Sequence, residues 1–465
     1  MKTITHKMLV MAIGLVITLG GCGTTSSTLA STNSSTTTST VAQATSSNIA
    51  LNDQSVSITQ AGTYTLNGSI SNGQVIVDVE GNEIRLQLAG VDITSKESSP
   101  ILIKSGKATI ELVSGTSNTL TDGTYDENAD ENATIYAEED LVIEEGNLKI
   151  NANGNDGITS KDDLTIKSGN IEVEAADDGI RGKDSLTIDG GKINVVAGGD
   201  GLKSDHETKG SIVMNGGEVS VSAGSDGAEA YKTITINGGT LNILKSYEGL
   251  ESEVITINNG EISIVSSDDG INISDSSSTA SEGMMHRDGT ASGRILTINS
   301  GKITIDAGAD GLDSNGAIEM NGGTVVVFGP TNDGNAALDY DETFTVNGGT
   351  LLAFGSNGMA MNVSDSQNSI LIGLSSQQNA GAKFSLVDSD GNTILEATPT
   401  KAWSSVVVST AGLKLNSEYR YLVDGVEAGS FTLTSSVMST GTSGMMGHGG
   451  MGGRPSGTPP QRPSW

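Results

Sequence analysis

The chain has 465 residues, with 56 Asp and Glu against 25 Lys and Arg, a formal net charge of −31 at pH 7. That excess argues against nucleic acid as a partner, and makes direct binding to anionic polymers or membranes unfavourable unless cations intervene. A single cysteine rules out a disulfide within the chain.

Residues 1–22 read as a lipoprotein signal peptide. Lys2 and Lys7 precede an apolar stretch over 8–19, and Leu19-Gly20-Gly21-Cys22 forms a lipobox. Cys22 is therefore the expected lipidation site, anchoring an exported protein to the outer face of the bacterial membrane as a monomer at the cell surface. Residues 23–47 are almost wholly Ser, Thr, Ala and Gly, a composition that makes a flexible linker.

Residues 48–367 are expected to form the main domain. Its first rungs are irregular: Ile76/Val77/Val79, Ile84/Leu86/Leu88, Val91/Ile93, Ile101/Ile103 and Ile110/Leu112. The acidic stretch 125–132 is expected to loop out. From Leu141 to Ala353 one pattern recurs nine times, with turn glycines at 146, 169, 191, 217, 239, 260, 301, 323 and 349. Their spacing is 21 to 26 residues, apart from one gap of 41 spanning an excursion at 274–293, which holds either two units or one unit plus a loop. Within a unit, apolar and polar residues alternate, as in Ile234, Ile236, Leu241 and Ile243 around Asn-Gly-Gly. Period two with β-branched residues means a strand with one buried face. A third short strand follows each Asp-Gly pair. Three strands per unit, stacked at ~4.8 Å, predict a right-handed single-stranded parallel β-helix. A meander of hairpins would not keep Ile180, Leu202, Leu250 and Leu312 in register.

Residues 368–437 break the repeat, with strand-like runs at 369–374, 383–387, 404–408, 419–423 and 430–433. They predict a small C-terminal antiparallel β element that covers the open edge of the last rung, or else a separate small domain. Trp403, Tyr419 and Tyr421 are expected to pack inside it rather than stack on sugars. Residues 438–465, rich in Gly, Met and Pro, are expected to be disordered. His286 with Met284 and Met285, and His448 with Met445, Met446 and Met451, could capture a soft metal, but the glycine-rich sequence around them favours no such site.

Two columns carry the candidate chemistry. One is the acid of each Asp-Gly: Asp156, Asp178, Asp200, Asp226, Glu248, Asp269 and Asp310. The other lies three residues on: Thr159, Arg181, Lys203, Glu229, Glu251, Asn272 and Asp313. An Asp-Gly acid can simply cap its own turn, a role Glu248 fills less well. Like charges one rung apart repel by ~1 kcal/mol in water and ~3–4 kcal/mol at an effective dielectric of 20. Asp226/Glu229, Glu248/Glu251, Asp268/Asp269/Asn272 and Asp310/Asp313 therefore form a dense anionic face. Hard oxygen ligands without His or Cys suit Ca²⁺; a solvated, merely repulsive face is the alternative. The nonapeptide calcium repeat does not apply, because this unit is about 22 residues long. Lys203 and Arg181 could serve as the base of a polysaccharide lyase, or be charge partners along the ladder.

Tyr64-Thr-Leu66-Asn-Gly68, Leu88-Ala-Gly90-Val91-Asp-Ile93, Asn118-Thr-Leu120-Thr-Asp122-Gly123, the run from Gly157 to Leu164 and Asp268-Asp269-Gly270-Ile271-Asn272 resemble the clostridial carbohydrate-binding β-helix family. The resemblance spans roughly 48–362 and implies bound calcium and affinity for cellulose or acidic plant polysaccharide such as polygalacturonate. The implied fold is similar to family-nine pectate lyases, whose calcium pattern would fall on Glu248, Asp268, Asp269 and Asn272. Asn272 departs from that pattern, which lowers the ligand charge. No position matches the lyase's catalytic lysine. The reading that follows is calcium-dependent, non-catalytic binding of polysaccharide, with a calcium-dependent lyase as the alternative.

Overall fold

The computed structural model describes residues 39–41, 46–125, 130–274 and 292–442. The chain winds into a parallel β-solenoid of about 13 turns, followed by a separate antiparallel sheet. No helix occurs among the described residues.

Strict alternation does what it predicts. In each coil the apolar residues face inward and stack on their counterparts: Leu164 lies on Leu141 and under Leu186, and the column continues through Ile212, Ile234, Ile255, Leu296, Ile318 and Phe344. All are at most 2% exposed, so each contributes roughly 1.5–3 kcal/mol by leaving water. Coils stay in register because a one-residue slip would turn every such side chain outward.

The sharp turn after the first strand needs φ > 0, and all nine turn glycines supply it, at 21° to 126°. Just before these glycines a stack of asparagines runs up the outside. The amide of Asn237 donates to Asn215 at 2.8 Å, Asn258 to Asn237 at 2.7 Å, Asn299 to Asn258 at 2.8 Å, Asn321 to Asn299 at 2.9 Å and Asn347 to Asn321 at 2.8 Å. The inner amides, from Asn237 to Asn321, thus both donate and accept along the axis.

The gap of 41 residues is one coil plus an insertion, because Glu261–Ser266 pairs directly with Lys302–Ala307. The insertion itself lies mostly outside the described residues, as do Cys22, residues 1–38 and 443–465. The first described strand, Ser39–Val41, pairs with Val56–Ile58, and Ser46–Ala50 pairs with Gly62–Ile70.

At the C-terminal end Thr350–Gly355 pairs antiparallel with Trp403–Thr410, which pairs antiparallel in turn with Ser369–Gln378. Those strands cover the open edge. A four-stranded antiparallel sheet of Phe384–Asp388, Thr393–Ala397, Glu418–Val423 and Val426–Thr432 joins them through a second apolar core. Trp403, Tyr419 and Tyr421 are buried in that core.

Candidate functional site

In the third strand of each coil the middle residue points outward between two buried neighbours. Pairing stacks Thr159, Arg181, Lys203, Glu229, Glu251, Asn272 and Asp313 in one column, which ends on Asp339. In the opposite direction it continues through Tyr136, Leu102 and Ile76. One outward column therefore changes along the axis from apolar to basic to acidic.

The Asp-Gly acids stand beside it, and each does a job the sequence did not reveal. Rather than capping its own turn, each aspartate accepts the backbone N–H of the next coil. Asp178 N–H donates to Asp156 Oδ1 at 3.3 Å, Asp200 to Asp178 and Asp226 to Asp200 at 2.9 Å, and Glu248 to Asp226 at 3.2 Å. Asp310 N–H donates to Asp269 Oδ1 at 2.8 Å, and the amide of Ala336 to Asp310. Glu248 interrupts this ladder: its longer side chain instead accepts from Asn272 Nδ2 at 2.9 Å. The following glycine is obligatory for another reason. A Cβ on Gly249 would lie 2.1 Å from the carbonyl oxygen of Gly270.

Only one oxygen of each aspartate is used in the ladder, so the other faces the column. In the early coils, side-chain cations meet it. Arg181 binds Asp205 through Nε at 3.2 Å and Nη2 at 2.6 Å, and lies 3.8 Å from Asp156 Oδ2. Lys203 Nζ sits among Asp200 Oδ2 at 2.5 Å, Asp178 Oδ2 at 3.3 Å and Glu229 Oε2 at 3.4 Å. From Asp226 onward neither column contains a Lys or Arg.

The acids are buried or half-buried, and the consequences differ along the axis. Burial, then the charge of Asp178, pushes Asp156 up to about 7 against the pull of Arg181. Burial raises Asp178 to about 6, with Lys203 opposing. At Asp200 burial is the largest influence and acts upward, but the charge of Lys203 together with hydrogen bonds from Glu229, Lys203 and the Asp226 amide outweighs it and holds the carboxyl below its ordinary value. Burial and the neighbouring Asp200 lift Glu229 to about 8. Farther along, burial and the next acids lift Glu248 well above its usual range, Asp269 to about 8 and Asp313 to about 9.

Three sets of acids offer oxygens that all lie within 4.8 Å of one another: Asp200, Asp226 and Glu229; Asp226, Glu248 and Glu251; Asp269, Asp310 and Asp313. Two oxygens bound to the same calcium at ~2.4 Å can be no more than ~5 Å apart, so each set is compact enough for one ion. Asn272 adds an independent sign. It is 9% exposed, and its Oδ1 has no hydrogen-bond partner among the described residues. A buried amide oxygen without a donor is costly, and it suits a hard cation. Of the residues expected as ligands, Asp226, Glu229, Glu248, Glu251, Asp269, Asp310 and Asp313 all fall in these sets. Asp268 lies outside them and hydrogen-bonds Tyr247. Asp200 and Asp339 join the acidic stretch although sequence reasoning did not single them out as ligands. Asp339 is hidden in the sequence because Ala336-Ala337 replaces the usual Asp-Gly, leaving only its register beneath Asp313 as a signal.

These features define a β-solenoid with one stripe of clustered acids that could hold a metal ion. The family described as carbohydrate-binding domain-containing protein matches residues 52–288, just over half of the chain, and the chain belongs to that family. A carbohydrate-binding domain-containing protein of Acetivibrio thermocellus is 41% identical over 109 residues, which is 22% of this chain and 38% of that relative. The match thus spans less than half of that relative's length. A solved polysaccharide lyase-like protein from C. thermocellum, a gadolinium derivative, is 33% identical and covers 48% of this chain and 88% of its own, with a TM-score of 0.39.

Proposed function

We propose that this chain binds an acidic polysaccharide, such as polygalacturonate, through Ca²⁺ held on the acidic stripe, and does not cleave it. The observation that carries this reading is the abrupt end of side-chain cations at Lys203, beyond which buried and half-buried carboxylates continue through Asp339. Bound there, Ca²⁺ would bridge these carboxylates to those of the sugar, which is how so acidic a protein could hold an anionic polymer. The chain's own contribution is to align oxygens from Asp226, Glu248, Glu251, Asp269, Asp310 and Asp313, with the Asn272 amide between the two sets. Membership in a carbohydrate-binding family supports a sugar partner.

A lyase needs a base that is unprotonated when it meets the sugar C–H. Lys203 is poorly suited. Burial opposes its charge, but Asp200, Asp178 and Glu229 more than offset that and hold it above the ordinary lysine value. Arg181 is engaged by Asp205.

Affinity electrophoresis through gels containing polygalacturonate or cellulose, with calcium or with EDTA, tests the proposal. Retardation by polygalacturonate that EDTA abolishes is expected. Retardation by neither polymer would favour a structural spacer, and steady growth of unsaturated-uronate absorbance would establish a lyase. We further propose anchoring at the cell surface through Cys22; a Cys22→Ala chain should leave the membrane fraction, and its retention there would refute the anchor.

A further inference from the structure

The three compact acid sets do not stand in equal surroundings. The first, Asp200, Asp226 and Glu229, shares two of its members with Lys203. Lys203 Nζ lies 2.5, 3.3 and 3.4 Å from carboxylate oxygens on three successive coils. That is a compact cation surrounded by hard oxygens, close to where a calcium ion would need its ligands at ~2.4 Å. Its side chain is only 22% exposed and those of its partners Asp178 and Asp200 are 8% and 4% exposed, so the ion cluster is largely shielded from solvent. A divalent ion entering the first set would face an ammonium at close range, in a setting of low dielectric where like charges repel strongly.

Pairing places Lys203, Glu229, Glu251, Asn272 and Asp313 at the same position of successive coils, with an acid three residues earlier in every one. The strand pairing is kept and the neighbouring residue is always an acid, an aspartate in every coil but that of Glu248, while the residue at this position changes. Where it is Lys203, the cation is part of the protein. Where it is Asn272, a buried oxygen is left without a donor.

We propose that Lys203 is a built-in counter-ion that closes the first acid set to divalent metal, so that metal occupies the column only from the Asp226–Glu248–Glu251 set toward the C-terminal end. This rests on the calcium reading above, and it adds a boundary to it: the protein itself marks where ion-mediated sugar binding begins. The early coils are then self-sufficient in charge and stay folded without metal, whereas the later coils depend on it.

Calorimetric titration of the EDTA-stripped full chain with calcium tests this, using Lys203→Asn, which recreates the Asn272 arrangement in the earlier coil. The variant is expected to bind one more ion per chain than the wild type. Equal stoichiometry in a variant with native far-ultraviolet dichroism overturns the inference. A wild type that binds no calcium instead overturns the calcium reading, so the two failures are distinct. Should Lys203→Asn not fold, the reverse exchange decides. Asp313→Lys should lose one ion and melt in EDTA at a higher temperature than Asp313→Asn, because a lysine there supplies the missing cation. A melting temperature for Asp313→Lys at or below that of Asp313→Asn, or a failure of Asp313→Lys alone to fold, refutes the idea that lysine substitutes for metal in this column.

Discussion

Calcium uptake by the Asp269–Asp310–Asp313 set should expel protons, and the number follows from the surroundings of those acids. Asp269 is lifted to about 8 and Asp313 to about 9, both by burial first and neighbouring carboxylates second. At pH 7 the metal-free carboxyls are therefore ~0.9 and ~0.99 protonated. A metal ligand must be deprotonated, so about two protons should leave as one ion enters. A carboxyl raised in the folded state binds more protons there than in the unfolded chain, from the ordinary value near 3.8 up to 8 or 9. Its contribution is therefore fully present below pH ~4 and is lost as pH climbs through the folded values. Calcium replaces those protons and should flatten the decline. Affinity at this set should rise ~100-fold per pH unit around pH 7, since two protons are exchanged. The assay is calorimetry in two buffers of different ionisation enthalpy. Binding enthalpy should differ by about two times the difference between the buffers at pH 7, and by much less at pH 9.5. An enthalpy independent of buffer at pH 7 would mean the acids are already ionised without metal, and would refute the reasoning.

Two further substitutions test how the stripe is supported. Gly249→Ala should destabilise the chain by ~1–3 kcal/mol or more, since its Cβ would lie 2.1 Å from the Gly270 carbonyl oxygen and 2.5 Å from Ile264 Cγ2; a denaturation midpoint like the wild type's would show that the coils can spread. Asp178→Ala leaves the buried Asp200 N–H without its acceptor and removes one partner of Lys203. The first effect alone costs ~1–3 kcal/mol, and denaturant titration in EDTA should show at least that loss.

How much of this was readable in advance depends on whether a feature repeats. The coil, its turns and its stacked core were legible because alternation and glycine recur every 22 residues or so, and each copy reinforces the last. The 41-residue gap was not decidable from spacing, since an extra coil and an inserted loop lengthen the chain alike; only the seating of Glu261 on Lys302 separates them. The acid columns were legible as columns, yet their role was not. Nothing in Asp-Gly says that the carboxylate reaches the amide of the next coil. That contact depends on how closely coils approach, which the sequence encodes only through the absent Cβ of glycine. Lys203 was recognised as lying beside its own acid; its reach back to Asp178 needed three dimensions. Asp339 was missed because it sits in a coil whose marker dipeptide has changed.

The C-terminal element offers a different balance, between shape and an unmet hydrogen bond. Trp403 is 1% exposed and packs edge-on against Phe354 at 5.1 Å and Phe384 at 5.8 Å. Its Nε1–H has no acceptor among the described residues. Burying a donor in that way costs ~1–3 kcal/mol, so the indole persists for its volume and its aromatic contacts. Trp403→Phe keeps a ring and removes the orphan donor, and its loss of packing is offset accordingly; less than ~1.5 kcal/mol of destabilisation is expected. Trp403→Ala empties the junction and should cost ~3–5 kcal/mol. That loss falls on the strand that covers Thr350–Gly355, the last parallel strand of its own stack in the solenoid. Uncovered, this edge would present unpaired N–H and C=O groups to a second chain. Light scattering should therefore show association of Trp403→Ala at temperatures where Trp403→Phe stays dispersed. Equal behaviour of the two variants would mean that the edge is protected by something other than this packing.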